Sequence, residues 1–293
     1  MTQRVLTLGH SPDSDDAFMF YALAAGLIDT GSLRYEHIIQ DIESLNQRAE
    51  KGELDITAVS VHAYAYVSDK YVLSPCGASV GEGYGPILVA RKGDTLETVR
   101  GGMIAVPGER TSAFLALRLF FGEFRYEVVP FDKILERVAS GEADAGLIIH
   151  EGQLTYGDLD LENVADLGKW WFEETGLVLP LGAVAIKRDL EPEIALTIVR
   201  HLRQSFEYGL AHRGNALEHA SHYARELDPK RMDRFVGMYV NEWTLDLGPE
   251  GRKAVREFLR RGAEAGVIPR MPAVDFVEQL PPLSKGGRGD WSQ

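Results

Sequence analysis

The feature that most limits what this chain can become is an internal echo. Residues 45–60 read LNQRAEKGELDITAVS, and residues 134–149 read ILERVASGEADAGLII. In both, a helix-like stretch runs into Gly-Glu-x-Asp and then into an apolar run of strand length. Gly52 and Gly141 stand where glycine ends a helix. The runs after them have the unbroken hydrophobicity of a buried parallel strand. A second echo lies upstream of each. Residues 5–23 (VLTLGHSPDSDDAFMFYAL) and 103–119 (MIAVPGERTSAFLALRL) each give a short apolar strand, a turn with Gly or Pro, polar capping residues and a helix containing Ala-Phe. Asp15 and Asp16 occupy the cap region of the first copy, Thr111 and Ser112 that of the second. Residues of these types accept hydrogen bonds from the free N–H groups of a first helical turn.

These are the βαβ units of doubly wound sheets, present twice. They predict an α/β chain of two lobes with a ligand cleft between them. Lobe 1 takes residues 1–92 and 188–280, lobe 2 takes 93–187, and 281–293 (PPLSKGGRGDWSQ) form a flexible tail. The chain is expected to cross between lobes at Val89–Asp94 and Val184–Arg188, making a two-strand hinge. Beyond residue 190, Leu196, Val199, Leu202, Phe206 and Leu210 recur at helical spacing. Further helices are expected around Arg231–Tyr239 and from Pro249 to Ala265, ending at Gly266.

Composition narrows the function classes. The net charge of −13 comes without a basic run, which argues against nucleic acid, because phosphate contacts supply most of that affinity. The single cysteine, Cys76, excludes an intramolecular disulfide and reads best as a small buried residue. The N-terminal MTQRVLTLGHS lacks the apolar region of a signal peptide. No apolar run reaches membrane-spanning length. The chain is therefore expected in the cytoplasm, with no membrane partner. Its oligomeric state is not written in any motif.

In open α/β sheets, ligands bind beyond the carboxyl ends of the strands. Four segments reach that edge: Ser11–Asp16, Ser60–His62, Gly108–Ser112 and His150–Gln153. Two of them lead into helix N-termini, whose N–H groups attract carboxylates and phosphates, so a small anionic molecule is the expected partner. The alternative is that their polar residues only cap the helices. His150 follows the apolar run Ala145–Ile149. Its imidazole is expected to project into the cleft, either as a general base or as a hydrogen-bonded rim residue. Strand alternation puts Ser60 and His62 on one face, either toward a ligand or simply at a strand-to-helix junction. Trp170, Trp171 and Phe172 fit an aromatic ligand wall or, more simply, core packing.

Metal readings fail. An EF-hand loop starting at Asp13 needs Gly and Glu where Phe18 and Ala24 stand. His219 and His222 lack a third ligand nearby in sequence. HExxH, GxxxxGK[ST] and GxGxxG are all absent from the sequence.

The segments SPDSDDAFMFYAL, AGLIIHEGQLTY, GKWWFEETGLVLPLG and YVNEWTLDLGPEGRKAVREFL, in that order from about residue 5 to residue 270, resemble the 1,4-dihydroxy-6-naphthoate synthase family of the futalosine route to menaquinone. The resemblance implies a type 2 periplasmic-binding-protein-like fold. It also implies a lyase acting on cyclic dehypoxanthinyl futalosine, with no metal, nucleotide or organic cofactor. By that resemblance His150 is the proton acceptor. Substrate contacts fall on Ser11, Asp16, the run Ala58-Val59-Ser60, and Thr111 and Ser112. The family's first loop usually reads SPCPNDTF. Here SPDSDDAF keeps Asp16, puts Asp15 for Asn and puts Asp13-Ser14 for Cys-Pro. The added charge bears on substrate choice more than on fold. Three rival readings remain. A transporter's solute receptor needs an export signal. The sister lyase chorismate dehydratase fits the AGLIIHE and WW segments less well. A non-catalytic small-anion-binding protein is separated from an enzyme only by assay.

Overall fold

The structure, a computed structural model, describes residues 3–223 and 227–278. The expected tail at 281–293 lies outside the described residues. The chain opens with β1 (Arg4–His10), α1 (Ser14–Met19), α2 (Tyr21–Ala24), β2 (Leu33–Ile39), α3 (Ile42–Lys51), β3 (Ile56–Ser60) and α4 (Val61–Val67). Two short strands follow, β4 (Tyr71–Leu73) and β5 (Ser79–Gly81). The next segment runs through β6 (Ile87–Arg91), α5 (Leu96–Arg100), β7 (Met103–Val106), α6 (Ser112–Phe121), β8 (Arg125–Val128), α7 (Ile134–Ser140), β9 (Ala145–Ile148), β10 (Leu161–Asp166) and α8 (Leu167–Thr175). β11 (Leu179–Lys187) then leads to α9 (Pro192–Ala211), α10 (Arg213–Ser221), α11 (Pro229–Tyr239), α12 (Glu242–Leu245) and α13 (Gly248–Glu264).

The strands form two sheets. One has the order β2-β1-β3-β11-β4 with β5 also on β11, and the other has the order β10-β6-β9-β7-β8. The duplication is visible in the pairing. β1 lies parallel between β2 and β3, as β7 lies between β8 and β9. An antiparallel strand then covers β3 and β9, namely β11 in one sheet and β6 in the other.

The Gly-Glu-x-Asp echo has a physical role in each copy. Gly52 and Gly141 end their helices with φ of 70° and 80°, a conformation that costs glycine little. The aspartate two residues after the Glu reaches across to the neighbouring strand. Asp55 Oδ2 accepts from Thr7 N–H at 2.8 Å, and Asp144 Oδ2 accepts from Met103 N–H at 2.7 Å. In both sheets this pins the register of the central parallel pair one residue before it begins.

The lobe crossings differ from the expectation. Val89–Asp94 begins inside β6, which belongs wholly to the second sheet, and Val184–Arg188 continues β11, which belongs to the first. Val89–Arg91 and Val184–Lys187 are each held within the ladder of a single sheet, so the chain does not cross between lobes there. The chain instead passes between sheets at 82–86 and through α8 to residue 178. These two passages touch: Leu167 N–H donates to Pro86 O at 3.0 Å. A Cβ on Gly81 or on Gly168 would stand 1.9 Å from Tyr84 O, so both sites need glycine for close backbone approach.

The expected helices form. α9 buries Ala195, Ile198, Val199, Leu202 and Phe206 along one stripe, and Gly266 follows α13 with φ of 68°. α13 buries Phe258 edge-on against Trp171 at 5.3 Å and packs beside α4, α6 and β11, helping tie the two lobes together. Of the aromatic cluster, Trp171 is fully buried core with its indole N–H on Val178 O at 3.0 Å, Trp170 is half-buried, and Phe172 is exposed; none of the three lines the cavity. Cys76 is buried as expected, and burial raises its thiol to about 11, so it stays protonated.

Candidate active site

A cavity of about 110 Å³ lies between the lobes at the carboxyl ends of the strands. The loop after β1 supplies Ser11, Asp13, Asp15 and Asp16, and β3 supplies Ala58, Val59 and Ser60. The start of α6 supplies Thr111, Ser112 and Ala113. All seven expected contact residues, Ser11, Asp16, Ala58, Val59, Ser60, Thr111 and Ser112, line it. The sequence reading brought Gln153 to this edge at the end of His150–Gln153, but it did not include Leu181–Val184 on β11 or Tyr239 on α11, which also line the walls. The Gly in LPLGA marked the β11 wall, since β5 and β11 change register between Pro180 and Gly182. Tyr239 carried no local signal, because its phenol arrives from a helix far along the chain to meet Gln153 Oε1 at 2.7 Å.

The polar groups are held by the protein itself. Ser60 N–H donates to Asn46 Oδ1 at 2.9 Å, and Asn46 Nδ2 donates to Ser60 Oγ at 3.1 Å. The fully buried Asn46 thus fixes the strand-end serine. Thr111 Oγ1 donates to Gly108 O at 2.9 Å while capping α6 by accepting from Phe114 N–H at 3.1 Å. Ser112 Oγ donates to Leu181 O at 2.5 Å and accepts from His62 N–H at 3.2 Å. Both hydroxyl protons are therefore committed. The two side chains can still accept from a ligand, while the N–H groups of Ser112 and Ala113 belong to the first turn of α6 and have no carbonyl partner within it.

The first loop differs from its expected capping role. Asp13, not Asp15 or Asp16, is the cap residue of α1, and its side chain makes no capping bond. Asp16 folds back to accept from Ser11 N–H at 2.7 Å. Burial raises its carboxyl to about 6 despite that bond and one from the Ser11 side chain. Asp15 is raised well above the usual carboxylate range, by burial first and then by the charges of Asp16, Asp13 and Glu151. The N-terminus of α1 is not an open anion site: Glu151, 5% exposed, crosses from the other lobe, and its Oε1 accepts from Ser14 N–H at 3.0 Å and Ser14 Oγ at 2.8 Å.

The histidines are placed differently from expectation. The His150 imidazole does not line the cavity; Ile149 beside it does. His150 Nδ1 accepts from Gly152 N–H at 3.0 Å, which assigns the proton to Nε2, and Nε2 donates to Phe131 O at 2.8 Å. The ring also packs edge-on against Phe131 at 5.0 Å. The turn after β9 doubles back immediately and carries the ring behind the cleft wall. His62 likewise faces away from the cavity, with Nδ1 on Thr111 O at 3.2 Å, and burial lowers it to about 4. It joins the lobes as a neutral strut. Among the described residues no cluster of His, Cys, Asp or Glu is arranged to hold a metal, and no helix is long and apolar enough to cross a membrane.

A family profile for menaquinone biosynthesis matches residues 6–264. The chain belongs to that family. A protein of Thermus thermophilus named 1,4-dihydroxy-6-naphtoate synthase is 40% identical over 93% of this chain and 99% of its own. One of the same name from Streptomyces coelicolor is 37% identical over 92% and 97%. A crystal structure of a protein from Archaeoglobus fulgidus superposes with a TM-score of 0.87 at 44% identity, covering 90% of this chain and 98% of that one. The alkanesulfonate-binding protein of Xanthomonas axonopodis superposes with a TM-score of 0.71 at 13% identity, covering 94% and 97%. A Candida albicans protein described as having the generic periplasmic binding protein fold does so at 0.67 and 12%, covering 96% and 100%. These last two share the fold alone, and they establish it as periplasmic-binding-protein-like.

Proposed function

We propose that this chain is a 1,4-dihydroxy-6-naphthoate synthase acting as a carbon–carbon lyase on cyclic dehypoxanthinyl futalosine, in the cytoplasm and without a metal or organic cofactor. The observation that carries the reading is full-length similarity to two proteins of that name. The cavity suits it: it is small, partly apolar and lined by groups from both lobes. In this reading the substrate carboxylate takes the free N–H groups of Ser112 and Ala113 and the hydroxyl of Ser60. Thr111 and Ser112 accept from substrate hydroxyls. Closure of the lobes excludes water. His150 removes a proton from the sugar-derived ring, carbon–carbon cleavage follows, and aromatisation of the second ring supplies driving force. For this, Nδ1 must exchange the Gly152 N–H for the substrate, which requires the 150–154 turn to shift when substrate binds.

The placement of His150 favours a second reading, a non-catalytic binder of small anions. One experiment separates them. The purified chain is incubated with cyclic dehypoxanthinyl futalosine and the products are read by mass spectrometry. The lyase reading expects 1,4-dihydroxy-6-naphthoate. A thermal shift with no product would leave the binder.

A further inference from the structure

We infer that Asp15 is the specificity-determining residue of the cavity, giving a hydrogen bond from its carboxyl group to an oxygen of the bound anion. The inference rests on the lyase reading for the identity of that anion. Donor accounting leads to it. An anion in the cavity needs N–H or O–H donors. Thr111 and Ser112 spend their protons on Gly108 O and Leu181 O. The Ser11 hydroxyl bonds Asp16 and also accepts from Asp13 N–H at 3.1 Å. Tyr239 gives its proton to Gln153. The polar wall is thus poorer in donors than its list of hydroxyls suggests: Ser60 Oγ, which only accepts from Asn46, and the first-turn N–H groups of Ser112 and Ala113 are left for the substrate carboxylate, and the first-loop side has no committed donor for a further oxygen of the anion.

On the lobe 1 side, four carboxyl groups crowd together. Glu151 is held as an acceptor by both donors of Ser14, and Asp16 by Ser11 N–H. Asp15 lines the cavity between them with its lowering partner limited to the Asp16 N–H. The groups facing it are Asp13 and Asp16 beside it, Glu151 from the opposite lobe and Tyr239 from α11. On α10, Arg213 lies over the Phe18 ring and is paired with Asp233 at 2.6 Å. Among like charges at close range, one carboxyl keeps its proton. Burial and the neighbouring charges make Asp15 that group, and a protonated carboxyl is a strong donor. When Asp15 ionises, the same position repels the anion. Because its pKa is raised, the binding form persists above the ordinary carboxylate range and is lost as pH climbs through the raised value.

The test is calorimetric binding of 1,4-dihydroxy-6-naphthoate, without oxygen, from pH 5 to 9, to the native chain and to Asp15→Asn. The native Kd is expected to climb with pH, by at most about tenfold per unit for one linked proton. Asp15→Asn, a neutral donor at every pH, should keep only the limb around pH 6 set by Asp16 and vary by about twofold or less from pH 7 to 9. Asp15→Ser serves as the second neutral variant if Asn does not fold. The same pH limb in a folded neutral variant overturns the inference while leaving the lyase reading intact. No binding by the native chain at any pH, with no turnover, overturns both.

Discussion

The loop after β1 and the loop after β7 occupy the same place in two copies of one strand–loop–helix unit, yet they meet the cavity with opposite chemistry. The second, ending in Thr111 and Ser112, caps its own helix with a hydroxyl and leaves first-turn N–H groups at the cavity wall without a helical partner. The first, Ser11–Asp16, carries three carboxyl groups, and its helix N-terminus is occupied by Glu151 from the other lobe. Duplication supplied two equivalent platforms. Divergence of a few residues made one platform a donor surface and the other an acidic wall that also fastens the lobes together. The scaffold tolerates this because the groups that fix each copy, the glycine and aspartate of Gly-Glu-x-Asp, lie at the amino ends of the strands, remote from the cavity.

The largest expected effect probes the segment that adjoins both platforms. His150→Ala should lower kcat by about 10²–10⁴-fold if the imidazole is the general base, with Kd for product nearly unchanged. Normal turnover would remove His150 from the mechanism and move attention to Asp15 and Asp16. Next comes Glu151→Ala, which removes both bonds to Ser14 and leaves a buried helix-end N–H unpaired. Charge-assisted hydrogen bonds contribute about 1.5–3 kcal/mol, so KM should rise about 10–100-fold while kcat changes little. An equal fall in kcat would mean that Glu151 acts on the chemistry, not on closure.

Much of this was legible in the sequence because repetition is a global signal. Gly52-Glu53-Leu54-Asp55 and Gly141-Glu142-Ala143-Asp144 marked the same joint twice, and that fixed two lobes and the cavity edge. Ser60 was found at the far end of the strand that follows the first joint, and Thr111 through the second echo upstream, where it matches the first loop. What was not legible depends on geometry that no short window encodes. The apolar run ILVAR reads equally well as either lobe's strand, and only its antiparallel pairing with β9 and β10 assigns it to the second sheet. His150 follows a strand end in sequence, but the 3-10 turn beginning at Glu151 swings its ring onto Phe131. Asn46 and Tyr239 come from helices whose registers are set by packing, and Asn46 reads in sequence as an ordinary polar helix position.

The smallest effect tests whether the two copies are equivalent below the loops, and the comparison predicts a measured inequality. Asp55 Oδ2 accepts from both the N–H and the hydroxyl of Thr7, at 2.8 and 2.9 Å, and Thr7 Oγ1 in turn accepts from Asp55 N–H at 2.9 Å. Asp144 accepts only from Met103 N–H in the matching position, since methionine offers no hydroxyl. It gains Arg91 at 3.6 Å instead, but both side chains of that pair are more than a third exposed, and such pairs contribute little. Asp55→Ala should therefore cost about 2–3 kcal/mol and Asp144→Ala about 1 kcal/mol, read as shifts in urea midpoint. Because the two aspartates lie in separate sheets, the double variant should be additive to within about 0.5 kcal/mol. Equal single costs would show that the strand N–H bond carries the whole stabilisation and that the Thr7 hydroxyl adds nothing. A double variant far from additive would show that the two sites are energetically coupled across the lobes, so that the duplicated units are independent in pattern but not in stability.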